Sequence, residues 1–277
     1  MMLRLVLLLG LSLIFYSCSK DEALYTPTKK IDPYETYKDG LRAFQENQFF
    51  IASKKFTEAE INFKSPKAAG KAAIMSSFSL YAINFYSEAE ENILRYLKNY
   101  PSHKHKIYAN YLLAIISYEQ ISDEKHDLKP LLKANEKIDF FLKEYPDTEY
   151  AFDLSLKKKL VINQFAAKEL YTAKYYISVQ KWVPAINRLK IIVNDYSTTV
   201  FIEEALHRLV EIYYHIGLEK EAKSYASLLG YNYNSSEWFK QSYKLLNKDY
   251  KIHKDKKEKN EKDKKFFQKI IDIIKLD

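Results

Sequence analysis

The sequence predicts an all-α fold, an α-solenoid of about five stacked helix pairs. The first observation behind this is a recurring phrase: a small alanine, a run of helix formers, then a tyrosine and a helix stop. Ala89 leads through Ile93 to Tyr100-Pro101, Ala134 through Ile138 to Tyr145-Pro146, and Ala185 through Leu189 to Tyr196-Ser197. Each interval is about twelve residues, room for a three-turn helix that proline ends because it cannot continue one. The second observation is sparse punctuation. There are 5 glycines and 7 prolines in 277 residues, mostly at the seams between helical runs, which argues against a β-sandwich or a glycine-cradled nucleotide fold. The third is an abundance of rings, 24 Tyr and 16 Phe. They fill gaps beside small residues and leave some over for a peptide-binding surface.

The first pair starts at Asp32-Pro33, a capping residue followed by proline at the first helical position. Tyr34, Tyr37, Leu41 and Phe44 recur at helical spacing, and a partner helix follows over 50–62. Gly40, Ala52, Phe56 and Ala59 reproduce the central part of the tetratricopeptide pattern, a helix–turn–helix unit of about 34 residues. Repeat two spans 66–100, with Ile74, Phe78, Tyr81 and Ala82 in its first helix and Ala89, Ile93, Leu94 and Leu97 in its second. Repeat three begins near Ser102 and carries a lengthened polar loop over 122–129. Repeat four has an unusually long first helix over 149–179. Its lysines 157–159 read as a solvated face, and Leu160, Phe165, Leu170, Tyr171, Tyr175 and Tyr176 as the buried side. Repeat five, 200–229, turns at Gly217. Intervals between the alanines at 52, 89, 134, 185 and 222 are 37, 45, 51 and 37 residues; such irregularity fits insertions into solenoid loops. The solenoid is thus expected over 33–247, with N-terminal repeats over 33–101 and C-terminal repeats over 102–247.

Both ends read differently. Residues 5–16 are almost wholly apolar after Arg4, too short for a membrane span of about 20 residues and suited to a secretory leader. Phe15-Tyr16-Ser17-Cys18-Ser19 then resembles a bacterial lipoprotein processing site, which implies removal of residues 1–17 and lipidation of Cys18. Ser19 is similar to the residue found in lipoproteins passed on to the outer membrane. Cys18 is the only cysteine, so no disulfide competes for it and no Cys-based metal site forms. Residues 18–32 read as a flexible tether. Much of the formal charge of +8 comes from the C-terminal tail, 248–277. Nine lysines face five acids over 248–265, and Phe266, Phe267, Ile270, Ile271, Ile273 and Ile274 follow as a short amphipathic helix. That helix could lie on a membrane, dock on a partner or fold back on the solenoid, docking on protein being favoured.

Three stretches point beyond generic repeats. They are Ala173-Lys174-Tyr175-Tyr176 with Trp182 and Ala185-Ile186-Asn187-Arg188; Glu203-Glu204-Ala205-Leu206 with Leu209, Glu211 and Tyr213; and Leu229-Gly230-Tyr231-Asn232-Tyr233 with Ser236-Glu237-Trp238-Phe239. Over roughly 18–247 the chain resembles the BamD family, lipoprotein subunits of the machinery that folds β-barrels into the bacterial outer membrane. Two departures are Tyr196-Ser197 in place of Tyr-Pro and the lysine-rich tail, which does not map to the family.

The resemblance implies a location on the outer membrane facing the periplasm, anchored by lipid. Implied partners are the periplasmic domain of BamA, other lipoproteins of the machinery and unfolded outer-membrane β-barrel proteins. It implies that the C-terminal repeats grip BamA, with Arg188 at that junction. A guanidinium offers a planar fork of donors for a partner carboxylate, though the same fork also suits a salt bridge within this chain. Trp182 reads as packing between repeats. For the N-terminal repeats the resemblance implies recognition of precursor strands. Aligning Gly40 with Ser77 places Tyr34, Tyr37, Phe44, Lys71, Phe78 and Tyr81 near the concave wall. Tyrosine supplies apolar area and a hydroxyl at low entropic cost, and Lys71 could meet a terminal carboxylate; core packing is expected to claim about half of the rings.

No catalytic pattern accompanies these residues. Six histidines show no His-Glu-x-x-His spacing, with His103-x-His105 alone on a solvated helix start, and no phosphate loop or Gly-x-Ser-x-Gly turn occurs. No enzyme activity, cofactor or metal is expected, and an exported chain would not meet nucleic acid. The competing reading is a periplasmic tetratricopeptide scaffold lipoprotein of cell division or envelope organisation.

Overall fold

The structure, a computed structural model, describes residues 32–247. The leader, Cys18, the tether up to residue 31 and the 248–277 tail lie outside the described residues. Within them are eleven α-helices and no strand. None is long and apolar enough to cross a membrane. The chain divides into two compact units, one ending at Ile83 and the other starting at Asn84. That division falls inside the segment read as the second repeat.

The first unit holds α1 (Pro33–Gln45), α2 (Phe49–Asn62) and α3 (Pro66–Ala82). Asp32 caps α1 as expected, its Oδ1 accepting from the Tyr34 amide at 2.9 Å, with Pro33 opening the helix. Helix α2 packs against both neighbours. Gly40 lets α1 approach it: a Cβ there would lie 2.8 Å from Cε1 of the fully buried Phe56. On the other side the buried Ser76 hydroxyl donates to the Ser53 carbonyl at 3.1 Å, tying α3 to α2.

The second unit runs α4 (Tyr86–Asn99), α5 (Lys106–Glu119), α6 (Lys129–Glu144), α7 (Glu149–Ser178), α8 (Trp182–Asp195), α9 (Ile202–His215), α10 (Glu219–Tyr233) and α11 (Glu237–Leu246). Each helix packs on the next in the chain, and α5–α7 and α9–α11 add contacts between alternate helices. This neighbour-to-neighbour stacking is how repeat arrays bury a continuous core. Three helices stop at their tyrosines in the same way. Tyr100, Tyr145 and Tyr196 each donate a backbone amide to the carbonyl four residues back, at 2.8, 2.9 and 3.0 Å. Helix α8 therefore ends at Tyr196 although serine, not proline, follows it. The turns between paired helices repeat too: Asn47, Asn84, Gln180 and Gly217 all have positive φ, at 60, 62, 57 and 80°. Glycine and asparagine are the expected occupants of that region; Gln180 pays a steric cost there.

The long loop before α6 is present, since α5 ends at Glu119 and α6 begins at Lys129. Two expectations need correction. The start expected to be solvated is not fully so: His103 is half-buried, with its Nδ1 2.8 Å from the Tyr96 hydroxyl. Burial pushes that phenol up to about 12. On α7, Leu170 is buried, but Leu160, Tyr171 and Tyr175 are exposed. Leu160 lies in the first half of the 30-residue α7, beyond the 14-residue α8, whereas Tyr171 and Tyr175 lie alongside α8 but on the side of the helix turned away from Ala166, Leu170 and Ala173, which pack into the core. Beyond the five pairs, α11 is a further helix, capped by Ser236 accepting from the Phe239 amide at 3.1 Å.

Candidate functional site

In the first unit the structure sorts the six expected residues into two groups. Tyr34 and Tyr37, three residues apart on α1, share one face, and Lys71 on α3 reaches that face with Nζ 5.4 Å from the Tyr37 ring centroid. A cation over a phenol ring is weakly attracted by its quadrupole. The second group is Phe44 on α1 with Phe78 and Tyr81 on α3, linked by centroid distances of 5.9 Å from Phe44 to Phe78 and 5.9 Å from Phe78 to Tyr81. None of the six is fully buried. Tyr34 is 62% exposed, Lys71 is exposed, and the remaining four are half-buried.

Two rings that the spacing did not single out complete these groups. Phe63, the residue that ends α2, packs edge-on against Tyr34 at 5.0 Å and lies 6.3 Å from Tyr37. Phe49, the first residue of α2, packs edge-on against Phe44 at 5.2 Å. Both sit at helix ends, where a periodicity search has least grip. The Tyr37 ring rests 5.2 Å from Phe56, and its hydroxyl is buried without a hydrogen-bond partner. An unpaired buried hydroxyl costs about 1–3 kcal/mol. The group therefore exposes ring faces and an ammonium, with the unsatisfied Tyr37 hydroxyl buried beneath them.

In the second unit Arg188 on α8 is engaged within the chain. Its Nη1 lies 3.3 and 3.1 Å from the two carboxylate oxygens of Glu169 on α7. The arginine side chain is still 42% exposed, against 19% for Glu169. Trp182 packs against the core of the unit, 4.8 Å from the His215 ring, which agrees with a packing role.

A denser polar network, not expected from the spacing, joins α7, α9 and α11. Arg208 donates to Glu211 at 2.7 Å and to Glu204 at 3.3 Å, and Lys174 pairs with Glu204 at 2.8 Å. His207, 3% exposed, has Nδ1 2.8 Å from the Ser242 hydroxyl and Nε2 3.4 Å from Glu211. Trp238 stacks over this group, 5.1 Å from the His207 ring and 5.6 Å from the Arg208 guanidinium carbon. Burial would push the Glu211 carboxyl up, but hydrogen bonds from His207 and Arg208 and their charges carry it below its ordinary value. The legible signal was the four-residue step from His207 to Glu211, one helix turn. This network locks α11 onto α9. Among the described residues no group of three or more potential metal ligands occurs.

Comparison with known proteins gives these residues a family. Residues 29–228 match the family model YfiO, described as outer membrane lipoprotein. The chain is 32% identical over 210 residues to the outer membrane protein assembly factor BamD of Rickettsia prowazekii, covering 76% of this chain and 84% of that protein. It is 34% identical over 211 residues to the protein of the same name from Caulobacter vibrioides, covering 76% and 69%. Among solved structures, a tetratricopeptide protein of Thermus thermophilus is similar at a TM-score of 0.35 and 16% identity, covering 78% of this chain and 99% of that one. A match across most of the chain by the model, and identity above 30% with a relative nearly as long, lead to one conclusion: the chain belongs to the YfiO family of outer membrane lipoproteins.

Proposed function

We propose that this protein is a binding subunit of the machinery that assembles β-barrel proteins into the outer membrane, and that it is not an enzyme. The observation that carries the reading is the family match, together with relatives named as outer membrane protein assembly factors. In this reading residues 1–17 are removed, Cys18 carries the lipid, and the tether up to residue 32 lets the helical repeats face the periplasm. The second unit binds the periplasmic domain of BamA beside Arg188, whose partly exposed guanidinium keeps donors free for a carboxylate besides Glu169. Unfolded barrel precursors meet the ring cluster of the first unit, where Tyr34 offers apolar area and Lys71 a charge for a strand's terminal carboxylate. The mechanism is positioning: an extended chain is held by ring faces and one ion pair, then passed on.

Calorimetric titration of residues 22–277, which contain every described residue, against the periplasmic domains of BamA tests the first contact. Saturable binding that Arg188→Glu weakens at least about tenfold, equivalent to about 1.4 kcal/mol, is expected. Absence of binding by the folded chain overturns the reading. Depletion in cells separates it from the scaffold reading, because loss of outer-membrane porins is expected rather than cell chaining with normal porins.

A further inference from the structure

The long helix α7 leaves part of one face uncovered. Leu170, buried at 3% exposed, and Ala166, at 0%, lie on the face that its second half packs against the core formed with α8 and α9. In the first half Leu154 and Val161 form the buried side, and Phe152, Leu156 and Leu160 follow one another at four-residue steps along the opposite side of the helix. These are 71, 46 and 54% exposed. An exposed row of large apolar side chains spaced by one turn is the form of a helix face awaiting a partner.

The row runs into a groove of about 750 Å³ bounded by the end of α5, the loop after it, the middle of α7 and the start of α9. Its apolar lining includes Tyr118, Leu160 and Val200, the last 78% exposed. Its charged lining is one-sided: Glu119, Asp123 and Glu124 line it, and no lysine or arginine does. Asp123 is occupied by the Lys125 amide and His126, at 2.9 and 2.6 Å. Glu119 and Glu124 have no ion-pair partner among the described residues. At the groove's rim Lys157 lies 5.5 Å from the Tyr118 ring centroid and is paired with Asp153, Lys158 is paired with Asp139, and Lys168 donates to the His126 carbonyl at 2.9 Å, so the cations nearest the groove are already engaged and leave Glu119 and Glu124 unpaired. Glu169, which holds Arg188, is two residues past Ala167 of the groove and so leaves α7 from another face.

We propose that this groove is a second peptide-binding surface, taking an amphipathic segment of a partner protein that carries aliphatic or aromatic side chains on one face and lysine or arginine beside them. The apolar side chains would cover Phe152, Leu156, Leu160 and Val200, and the basic ones would neutralise Glu119 and Glu124. Charge chooses this occupant. A neutral or acidic segment would leave the two carboxylates beside a dehydrated apolar contact unpaired, and an anionic membrane surface would be repelled by them.

The test is fluorescence anisotropy of residues 22–277 with two labelled amphipathic peptides of the same leucine and phenylalanine face, one with lysines on its polar face and one with glutamates. The lysine peptide is expected to bind saturably and the glutamate peptide to bind at least about tenfold more weakly. Leu160→Asp and the double variant Glu119→Lys with Glu124→Lys should each weaken the lysine peptide by about tenfold or more. Leu160 and Glu119 are exposed and Glu124 is half-buried, so unchanged thermal unfolding serves as the folding control. Equal affinity for both peptides, or affinity that the variants leave unchanged, overturns the proposal. Binding that emerges only in a chain ending at Asn247 would assign the groove to the chain's own lysine-rich tail, and overturns it as a partner site.

Discussion

Arg188 on α8 and Glu169 on α7 form an ion pair across two successive helices, with one guanidinium nitrogen within 3.3 Å of both carboxylate oxygens. Because the arginine is more than a third exposed, the pair is worth only a fraction of a kcal/mol to stability, about 0.5 after solvent screening. The charge swap Arg188→Glu with Glu169→Arg is therefore expected to restore whatever stability Arg188→Glu alone loses. Binding of BamA should stay weak in the swap, since the partner would still meet a carboxylate at position 188. Recovery of binding in the swapped protein would show that Arg188 acts only inside the chain.

Tyr37 keeps its hydroxyl buried and unpaired beside Lys71. Tyr37→Phe removes that polar atom and keeps the ring on Phe56, so the unfolding midpoint is expected to rise, by up to about 1 kcal/mol in stability. If the hydroxyl is held ready for a precursor strand, the same variant binds a peptide copying the aromatic end of a barrel precursor several-fold more weakly. Lys71→Glu should weaken it further by reversing the charge offered to the terminal carboxylate. A Tyr37→Phe protein with unaltered peptide affinity would assign the hydroxyl to packing alone.

Gly40 and Gly217 are glycines for different reasons, and alanine at each should show it. A Cβ at Gly40 would strike the buried Phe56 ring at 2.8 and 2.9 Å, so Gly40→Ala is expected to cost about 1–3 kcal/mol by overpacking. At Gly217 nothing lies within 4 Å, but φ is +80°, so Gly217→Ala costs about 1 kcal/mol of backbone strain. Gly40→Ala combined with Phe56→Leu should recover part of the first loss, while no side-chain partner can rescue the second. Urea titrations of the four proteins measure both.

Acid should weaken the attachment of α11 through Glu211. Its carboxyl is held below the ordinary value, so the unfolded chain takes up this proton first as pH falls. The contribution to stability is present above the ordinary carboxylate range, near about pH 4, and is lost as pH drops through the lowered folded value. Glu211→Gln should flatten this acid limb in a plot of unfolding midpoint against pH. Amide exchange over 237–246 should quicken in Glu211→Gln at neutral pH. A limb of unchanged steepness would assign the acid sensitivity to other carboxylates.

Local chemistry, which neighbouring residues carry by themselves, made much of this protein legible in its sequence. Asp32-Pro33 starts α1 because the capping oxygen and the fixed proline φ act within one turn. The tyrosine stops, the Gly217 turn and the limits of the long α7 follow for the same reason. Alanine and aromatic spacing marked the paired helices, since helix faces repeat every 3.6 residues. Tyr34, Tyr37, Phe44, Lys71, Phe78 and Tyr81 could be nominated because one repeat's register predicts the next.

Tertiary structure alone decided which faces are covered and which side chains meet. Leu160, Tyr171 and Tyr175 have the composition of a core, yet they stay exposed: Leu160 lies beyond the reach of α8, and the two tyrosines point away from the side of α7 that α8 and α9 cover. Phe63 and Phe49 join the ring clusters from helix ends, and His207 meets Ser242 across 35 residues of chain. Arg188 was marked by a motif, but only the packing of α7 on α8 set Glu169 against it. Periodicity states which side chains share a face; burial depends on what another helix brings to that face, and that partner lies far away in the chain.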